Sequence, residues 1–207
     1  MRLPNIAGLI QAWRDHRLPV IVNRHVSSRP GTKRIAGRCS ASEIAAASAA
    51  SFAMLIRDAI RSDLDAINAV TLAAKASWGY THDQLDAWRE SLMTSEQSLD
   101  LMPTLVALEG GALVGIVQVD PNSTPWELVS CWIDPGHMRR GIGRTLVREM
   151  AARMAAVGQQ FLHIDSDPNA EPFYLALGAT RIAEVPAPIP GAPQRVRPQL
   201  RLATSVA

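Results

Sequence analysis

The sequence predicts an α+β protein with a mixed, mostly antiparallel central sheet flanked by helices. Three observations predict it. Along residues 54–203 the apolar residues alternate between helical spacing and strand-like runs. Three strand-like runs between 104 and 133 are separated only by short turns, which makes an antiparallel meander. An amphipathic helix then lies between the strands 126–133 and 161–165, and such a crossover sets two strands parallel.

The elements follow in order. Met54 to Ala59 reads as a short strand. Ser62 offers a helix N-cap with Asp65 three residues on, and Leu64, Ile67, Val70, Leu72 and Ala74 follow at roughly helical spacing. Trp78-Gly-Tyr80 breaks this helix. A second helix fits 83–93, with Leu85, Trp88 and Leu92 on one stripe. Thr104–Glu109 and Ala112–Val119 are strands joined at Gly110-Gly111, a two-residue hairpin turn. Asp120 to Ser123 turns again, Trp126–Ile133 is the third strand, and Asp134-Pro-Gly136 ends it. Residues 143–156 form the strongest amphipathic helix, through Leu146, Val147, Met150 and Met154, with Gly158 as its stop. Then come a strand over Phe161–Asp165, a short helix over 170–177 ending at Gly178, and a strand over Arg181–Val185. Pro186–Pro198 holds five prolines and reads as a loop, before a last strand over Gln199–Ala203.

Residues 1–53 differ from the rest. Residues 1–38 hold eight Lys/Arg against one acid, whereas residues 39–207 hold thirteen basic and eighteen acidic residues. The net charge of +2 therefore hides a basic leader on a mildly acidic body, and a nucleic-acid partner would rest on the leader alone. A solvated tail explains those cations better than a nucleic-acid site. The leader has no sustained periodicity and ends in an Ala/Ser-rich stretch. A disordered tail, an organelle leader and a start assigned upstream of the native one all fit it. The third is favoured, because Met54 opens a well-formed element. The predicted organisation is thus a leader over 1–53 and one domain over 54–207. No run of eighteen apolar residues is present, so no membrane-spanning helix is expected. Two distant cysteines, Cys39 and Cys131, make neither a disulfide framework nor a metal cluster, and the expected compartment is the cytoplasm, with no metal.

The chemically informative stretch is Asp134-Pro-Gly-His-Met-Arg-Arg-Gly-Ile-Gly-Arg144, between a strand and a helix. Glycines let backbone N–H groups approach a ligand closely, and a helix start supplies unpaired donors with a partial positive charge. This suits a pyrophosphate. Neither the dinucleotide fingerprint nor a Walker lysine is present.

Together with Trp126-Glu-Leu-Val-Ser-Cys-Trp-Ile-Asp-Pro before it, this stretch resembles motif A of the GNAT N-acetyltransferases. Asp167-Pro-Asn-Ala-Glu-Pro-Phe-Tyr-Leu-Ala-Leu-Gly178 resembles their motif B, and the element order matches that fold over roughly residues 54–203. The resemblance implies transfer of an acetyl group from acetyl-CoA to an amine, on a small molecule or a protein, and dimers are common in that family. It implies that Cys131, Trp132 and Ile133 line the pantetheine arm. Backbone amides within Arg139, Arg140, Gly141, Ile142, Gly143 and Arg144 would bind the pyrophosphate, Asn169 would lie near the thiol end, and Tyr174 would protonate the leaving thiolate. The sequence departs from the family pattern at Met138, where Gln or Arg is usual, in the five-residue spacing from Asn169 to Tyr174, and at Ala179 in place of Phe. A non-catalytic acyl-CoA-binding sensor of the same fold is the alternative.

The chemistry needs few groups: an amine must lose a proton, attack a thioester and expel a thiolate. The Ile133 N–H is a candidate to stabilise the charge that develops on the carbonyl oxygen. Glu127 is the proposed base, with His163 and Asp165 on the adjacent strand as alternatives; a solvated strand carboxylate is the bland reading of Glu127, and a satisfied structural residue that of His163. Trp78 and Tyr80 are open candidates to wall the acceptor site, while helix packing accounts for Trp88.

Overall fold

A computed structural model describes residues 54–205 and the backbone of residues 20–22. Among these, β1 (Val20–Val22), β2 (Met54–Asp58), β3 (Thr104–Glu109), β4 (Ala112–Asp120), β5 (Trp126–Ile133), β6 (Phe161–Asp165), β7 (Thr180–Pro186) and β8 (Val196–Ala203) form one sheet in the order β1-β2-β3-β4-β5-β6-β8-β7. Every pairing is antiparallel except β5 with β6. The helices are α1 (Leu64–Ala76), α2 (His82–Leu92), α3 (Glu96–Leu101), α4 (Ile142–Ala156) and α5 (Glu171–Leu175). The predicted mixed, mostly antiparallel sheet is thus the observed one. Apart from Val20–Val22, the expectations for residues 1–53 fall outside the described residues.

The central strands are apolar on both faces because helices cover both. Leu105 and Ala107 face α4, which presents Leu146, Val147, Met150 and Met154. Val106, between them, faces the other way and packs with Ile116 and with Ile67 of α1.

Local chemistry moves three boundaries. Ser62 does not cap α1. A 3₁₀ turn over Arg61–Asp63 precedes it, and the Asp63 carboxylate accepts the Ile60 N–H at 2.8 Å while Arg57 of β2 grips it at 2.6 and 2.9 Å. Helix α3 is an addition to the expected set. It is polar and buries nothing fully, so periodicity could not reveal it; a reciprocal Ser95–Ser98 cap starts it. The proline-rich loop is also shorter than its prolines suggest, because Pro186 ends β7 and Pro198 lies within β8. Pro198 turns its carbonyl to the Ser166 N–H at 2.9 Å, so its nitrogen faces the same side, one position past the end of β6. The missing N–H therefore interrupts no bond to β7.

The feature that positions the site is the parting of β5 from β6. They pair only over Trp126–Leu128 and Leu162–Ile164. The β4–β5 register shifts around Val129, and β5 then runs on to Ile133 beside β4 alone. Gly115 on β4 gives Ile133 its place: a Cβ there would stand 2.8 Å from the Ile133 Cδ1 and 3.1 Å from the Leu146 Cδ1. We expect Gly115→Ala to destabilise the fold by roughly 1–3 kcal/mol through overpacking, read as a lower Tm in thermal unfolding; an unchanged Tm would show that Ile133 is free to move.

Candidate active site

The gap between β5 and β6 opens into a cleft with two adjoining parts, of about 480 and 380 Å³. Cys131, Trp132, Trp78, Ala170 and Tyr174 border both.

The larger part ends at the turn before α4. Asp134 organises that turn: its Oδ1 accepts the Gly136 N–H at 3.0 Å and lies 2.7 Å from the His137 Nδ1. Arg139 (φ 60°) and Gly141 (φ 80°) are both left-handed, which curls the chain and turns successive N–H groups inward. Gly141 is the N-cap of α4 and brings no capping side chain. The first N–H groups of a helix have no partner within it, so this start is open to an anion. Arg139, Gly141, Ile142, Gly143 and Arg144 all border the cleft here. Gly143 is required by packing, since a Cβ would stand 3.1 Å from the Phe173 Cζ. Arg140 differs from its neighbours. Its guanidinium reaches back to Glu109 at 2.9 and 3.0 Å, so its side chain braces the turn and only its backbone is available to a phosphate.

Further in, the wall is the free edge of β5. The Asp134 N–H donates to the Val114 carbonyl at 2.9 Å, so 114 and 134 form a hydrogen-bonded pair. Antiparallel pairs alternate, and the next pair, Gly115 with Ile133, points its polar groups outward. The Ile133 N–H and C=O thus face the cleft, where β6 no longer runs. Cys131, Trp132 and Ile133 line this part of the cleft, and so does Asn169. Asn169 is held by its N–H and side chain on Asp167 Oδ1, at 3.0 and 3.1 Å, and by Tyr80 Oη at 3.3 Å.

Tyr174 stands where the two parts meet, its ring packed in the core. Its hydroxyl and the Cys131 thiol are hydrogen-bonding neighbours. Burial pushes the Cys131 thiol up to about 12, against a smaller opposing effect of Tyr174. Burial, aided by Cys131, also holds the Tyr174 hydroxyl well above the ordinary tyrosine value. Both are therefore neutral, proton-bearing groups near pH 7. Glu127 does not join them. It borders neither part of the cleft, and lies in register with Asp120 on one side and His163 on the other.

The smaller part is built around groups the sequence did not single out as a unit. Lys75 Nζ lies 2.7 Å from Asp167 Oδ2, both almost fully buried. Tyr80 donates to the same oxygen at 2.7 Å and Arg195 at 3.1 Å. The Lys75 ammonium also sits 4.5–4.9 Å from the ring centres of Trp78, Tyr80 and Trp88. Burial lowers the Lys75 pKa, with Asp167 resisting. Burial pushes Asp167 up, but hydrogen bonds from Lys75, Tyr80 and the Asn169 N–H overcome it and leave the carboxyl below its ordinary value. Trp78 and Trp88 wall this part, so Trp88 does more than pack its own helix stripe. The signal for Lys75 was faint: a single cation in an otherwise apolar and small-residue turn of α1.

The profile of the GNAT acetyltransferase family matches residues 67–179, more than half of the chain. The chain belongs to the GNAT family. It is 36% identical over 77 residues to a mycothiol acetyltransferase of Cellulomonas flavigena, an alignment that takes in 35% of this chain and 22% of that protein. The chain thus spans about a fifth of that relative's length. The fold resembles a GCN5-related N-acetyltransferase from Rhodopseudomonas palustris, with a TM-score of 0.59 and 21% identity over 72% of this chain and 94% of the other. It also resembles the PaiA N-acetyltransferase of Thermoplasma acidophilum, solved with coenzyme A, with a TM-score of 0.59 and 17% identity over 72% and 98% of the two chains. Among the described residues, no helix is long and apolar enough to cross a membrane.

The turn at Gly141 offers a matched pair of variants. Gly141→Ala and Gly141→Asp carry similar strain at φ 80°, about 1 kcal/mol or more. Only the second adds a negative charge at the helix start. Acetyl-CoA should still raise the Tm of the alanine variant and fail to raise that of the aspartate variant. Equal shifts in both would remove the phosphate from this turn.

Proposed function

We propose that the protein is an acetyl-CoA-dependent N-acetyltransferase that transfers acetyl to an amine by direct attack, without a covalent enzyme intermediate. One observation carries this reading: a single cleft joins the open start of α4 to a buried tyrosine hydroxyl and to a second, differently lined pocket beyond it. A phosphate site, a proton donor and an acceptor site lie in that order.

The residues fit the coenzyme. The α4 start takes the pyrophosphate, and the outward polar groups of Ile133 pair with the amide-bearing arm. Acetyl-CoA supplies an activated thioester when bound. The Ile133 N–H then stabilises charge on the carbonyl oxygen. The acceptor nitrogen bonds to the carbonyl carbon as the C–S bond breaks. Tyr174 gives its proton to the sulfur and regains one from the proton that the amine releases. Because the hydroxyl stays protonated until well above pH 10, it remains a donor across the working range.

For the amine's own proton we assign no role to Glu127, which borders neither part of the cleft, and invoke the charge of the smaller part instead. Lys75, Arg195 and Arg197 outnumber Asp165 and Asp167 around the smaller part. Excess positive charge disfavours an ammonium and releases its proton to water. Activity should therefore rise with pH until the bound amine is neutral. Glu127→Gln should leave kcat within about threefold; a loss of tenfold or more would return the base to Glu127.

The experiment that tests the reading is thiol release from acetyl-CoA across a broad amine panel, with the product weighed by mass spectrometry. With an acceptor in hand, Tyr174→Phe should lower kcat by roughly 10- to 10³-fold, at the lower end of general-acid effects because a thiolate leaves fairly well unaided. Acetyl-CoA affinity should barely change. Unchanged kcat with chemistry rate-limiting would remove the donor role. Acetyl-CoA binding with no turnover of any amine would instead favour a sensor.

We further propose that the chain from Met54 onward suffices for the catalytic cleft, which lies at β5 and β6, although β1 pairs with β2 at the far edge of the sheet. A chain starting at Met54 should fold and show the full acetyl-CoA thermal shift. A Tm lower by ten degrees or more, or loss of the acetyl-CoA shift, would show that the catalytic unit depends on β1 or on other residues before Met54.

A further inference from the structure

The smaller part of the cleft has a charge pattern that selects among amines. We propose that the acceptor carries a carboxylate, received by Arg197 and Arg195. This rests on the acetyltransferase reading above.

The argument is one of unused bonding capacity. The charged groups facing this pocket are Lys75 from α1, Asp165 from β6, Asp167 just after it, and Arg195 and Arg197 from the β7–β8 hairpin. Every carboxylate oxygen among them already faces a donor of the protein. Asp167 Oδ2 receives Lys75, Tyr80 and Arg195, and its Oδ1 receives Asn169. Asp165 Oδ1 receives the Gln199 Nε2 at 2.8 Å, and its Oδ2 lies 2.8 Å from Arg197. An ammonium on the acceptor's tail would meet only carboxylates that already pair with a cation of the protein, and would add to an existing positive excess.

The cations are less committed. A guanidinium has five N–H donors. Among the described residues Arg197 meets one carboxylate, through one nitrogen, with 45% of its side chain exposed. Arg195 spends one terminal nitrogen on the Ala187 carbonyl at 3.2 Å and the other on Asp167 and Tyr80, leaving its buried Nε without a partner. A carboxylate is the group that matches the planar donor edge of Arg197. The receiving arm is anchored as well: Gln84 of α2 donates to the Pro190 carbonyl at 3.0 Å, tying the hairpin loop to the helix that forms the opposite wall. Leu92, Leu128 and Ile189 leave room between for an apolar body.

The test compares acids with their neutral isosteres. Thiol release is measured for free amino acids and dipeptides, for the same compounds as C-terminal amides, and for polyamines and aminoglycosides, with the wild type, Arg197→Gln and Arg197→Lys. The acids should exceed their amides by roughly tenfold or more in kcat/KM, mainly through KM, as expected for a charge-assisted pair. Arg197→Gln should collapse that preference to within about threefold, and Arg197→Lys should restore part of it, while the acetyl-CoA thermal shift persists in both. Amides or polycations used as well as the acids would overturn the proposal, as would an unchanged preference in Arg197→Gln. If no amine in the panel turns over, the acids should still raise the Tm of the enzyme saturated with coenzyme A more than their amides do; equal or absent shifts overturn it. Failure of acetyl-CoA itself to raise the Tm would strike the acetyltransferase reading instead.

Discussion

β5 and β6 share three paired positions and then separate, and the site follows from that separation. A buried backbone group left without a partner costs roughly 1–3 kcal/mol, so a sheet does not open at its centre without compensation. Here the compensation is geometric. The shift at Val129 lets Cys131 and Ile133 anchor their side chains against the α4 side of the core while their polar backbone groups face a wet cleft. Trp132, between them, turns to the α1 side and stacks on Trp78 at 5.2 Å. The strand is held because Cys131, Trp132 and Ile133, partly buried, pack against apolar clusters on the two faces of the sheet, and its free edge remains available to a ligand that brings amide groups of its own.

Asp167 has the corresponding role on the other wall. It lies directly after β6 and binds groups from α1, from the loop before α2, from its own loop and from the hairpin before β8. A carboxylate so buried would be expensive if unpaired, and breaking such a cluster from one side typically costs 3–5 kcal/mol. Its lowered pKa has a definite sign: the stabilisation is complete above the ordinary carboxylate range and is lost only as acid titrates the folded form. The cluster fixes Asn169 and draws Arg195 over the pocket. The wall of the smaller part is thus held by electrostatics where the β5 wall is held by strand packing.

What the sequence made legible follows the same division. The β5 strand, the glycine turn and α4 are contiguous, and their periodicity and local chemistry are strong, so Cys131 to Arg144 could be read together. Gly110-Gly111 announced its hairpin because both residues need positive φ, and the structure has them at 60° and 85°. The wall of the smaller part is not legible in the sequence, because Lys75, Asp167, Arg195 and Arg197 are far apart in the chain and meet only in the fold. Asp63 displaced Ser62 as the cap for a similar reason: Arg57, on another element, draws its carboxylate into place. Glu127 is the base that the sequence suggests because it is a carboxylate on the strand that leads into the glycine turn. Strand alternation sets it opposite Trp126 and Leu128, and it borders neither part of the cleft.

The pairing of Cys131 with Tyr174 bears on which route the acetyl group takes. A cysteine beside a thioester site invites a covalent relay, in which its thiolate would accept the acetyl group first. With its pKa pushed up to about 12 by burial, Cys131 keeps its proton near pH 7. Among the described residues no cation or histidine contacts it to lower that value; its hydrogen-bonding neighbour is a phenol that burial also keeps protonated. A relay would need the pocket to create a charge that its whole environment resists. Direct attack asks the opposite of the same environment. In the proposed reaction the negative charge would appear on the departing sulfur, beside the Tyr174 hydroxyl, which already holds a proton. The desolvation that silences Cys131 as a nucleophile is therefore what keeps Tyr174 ready as a donor, and one local property of the cleft favours the direct route on both counts.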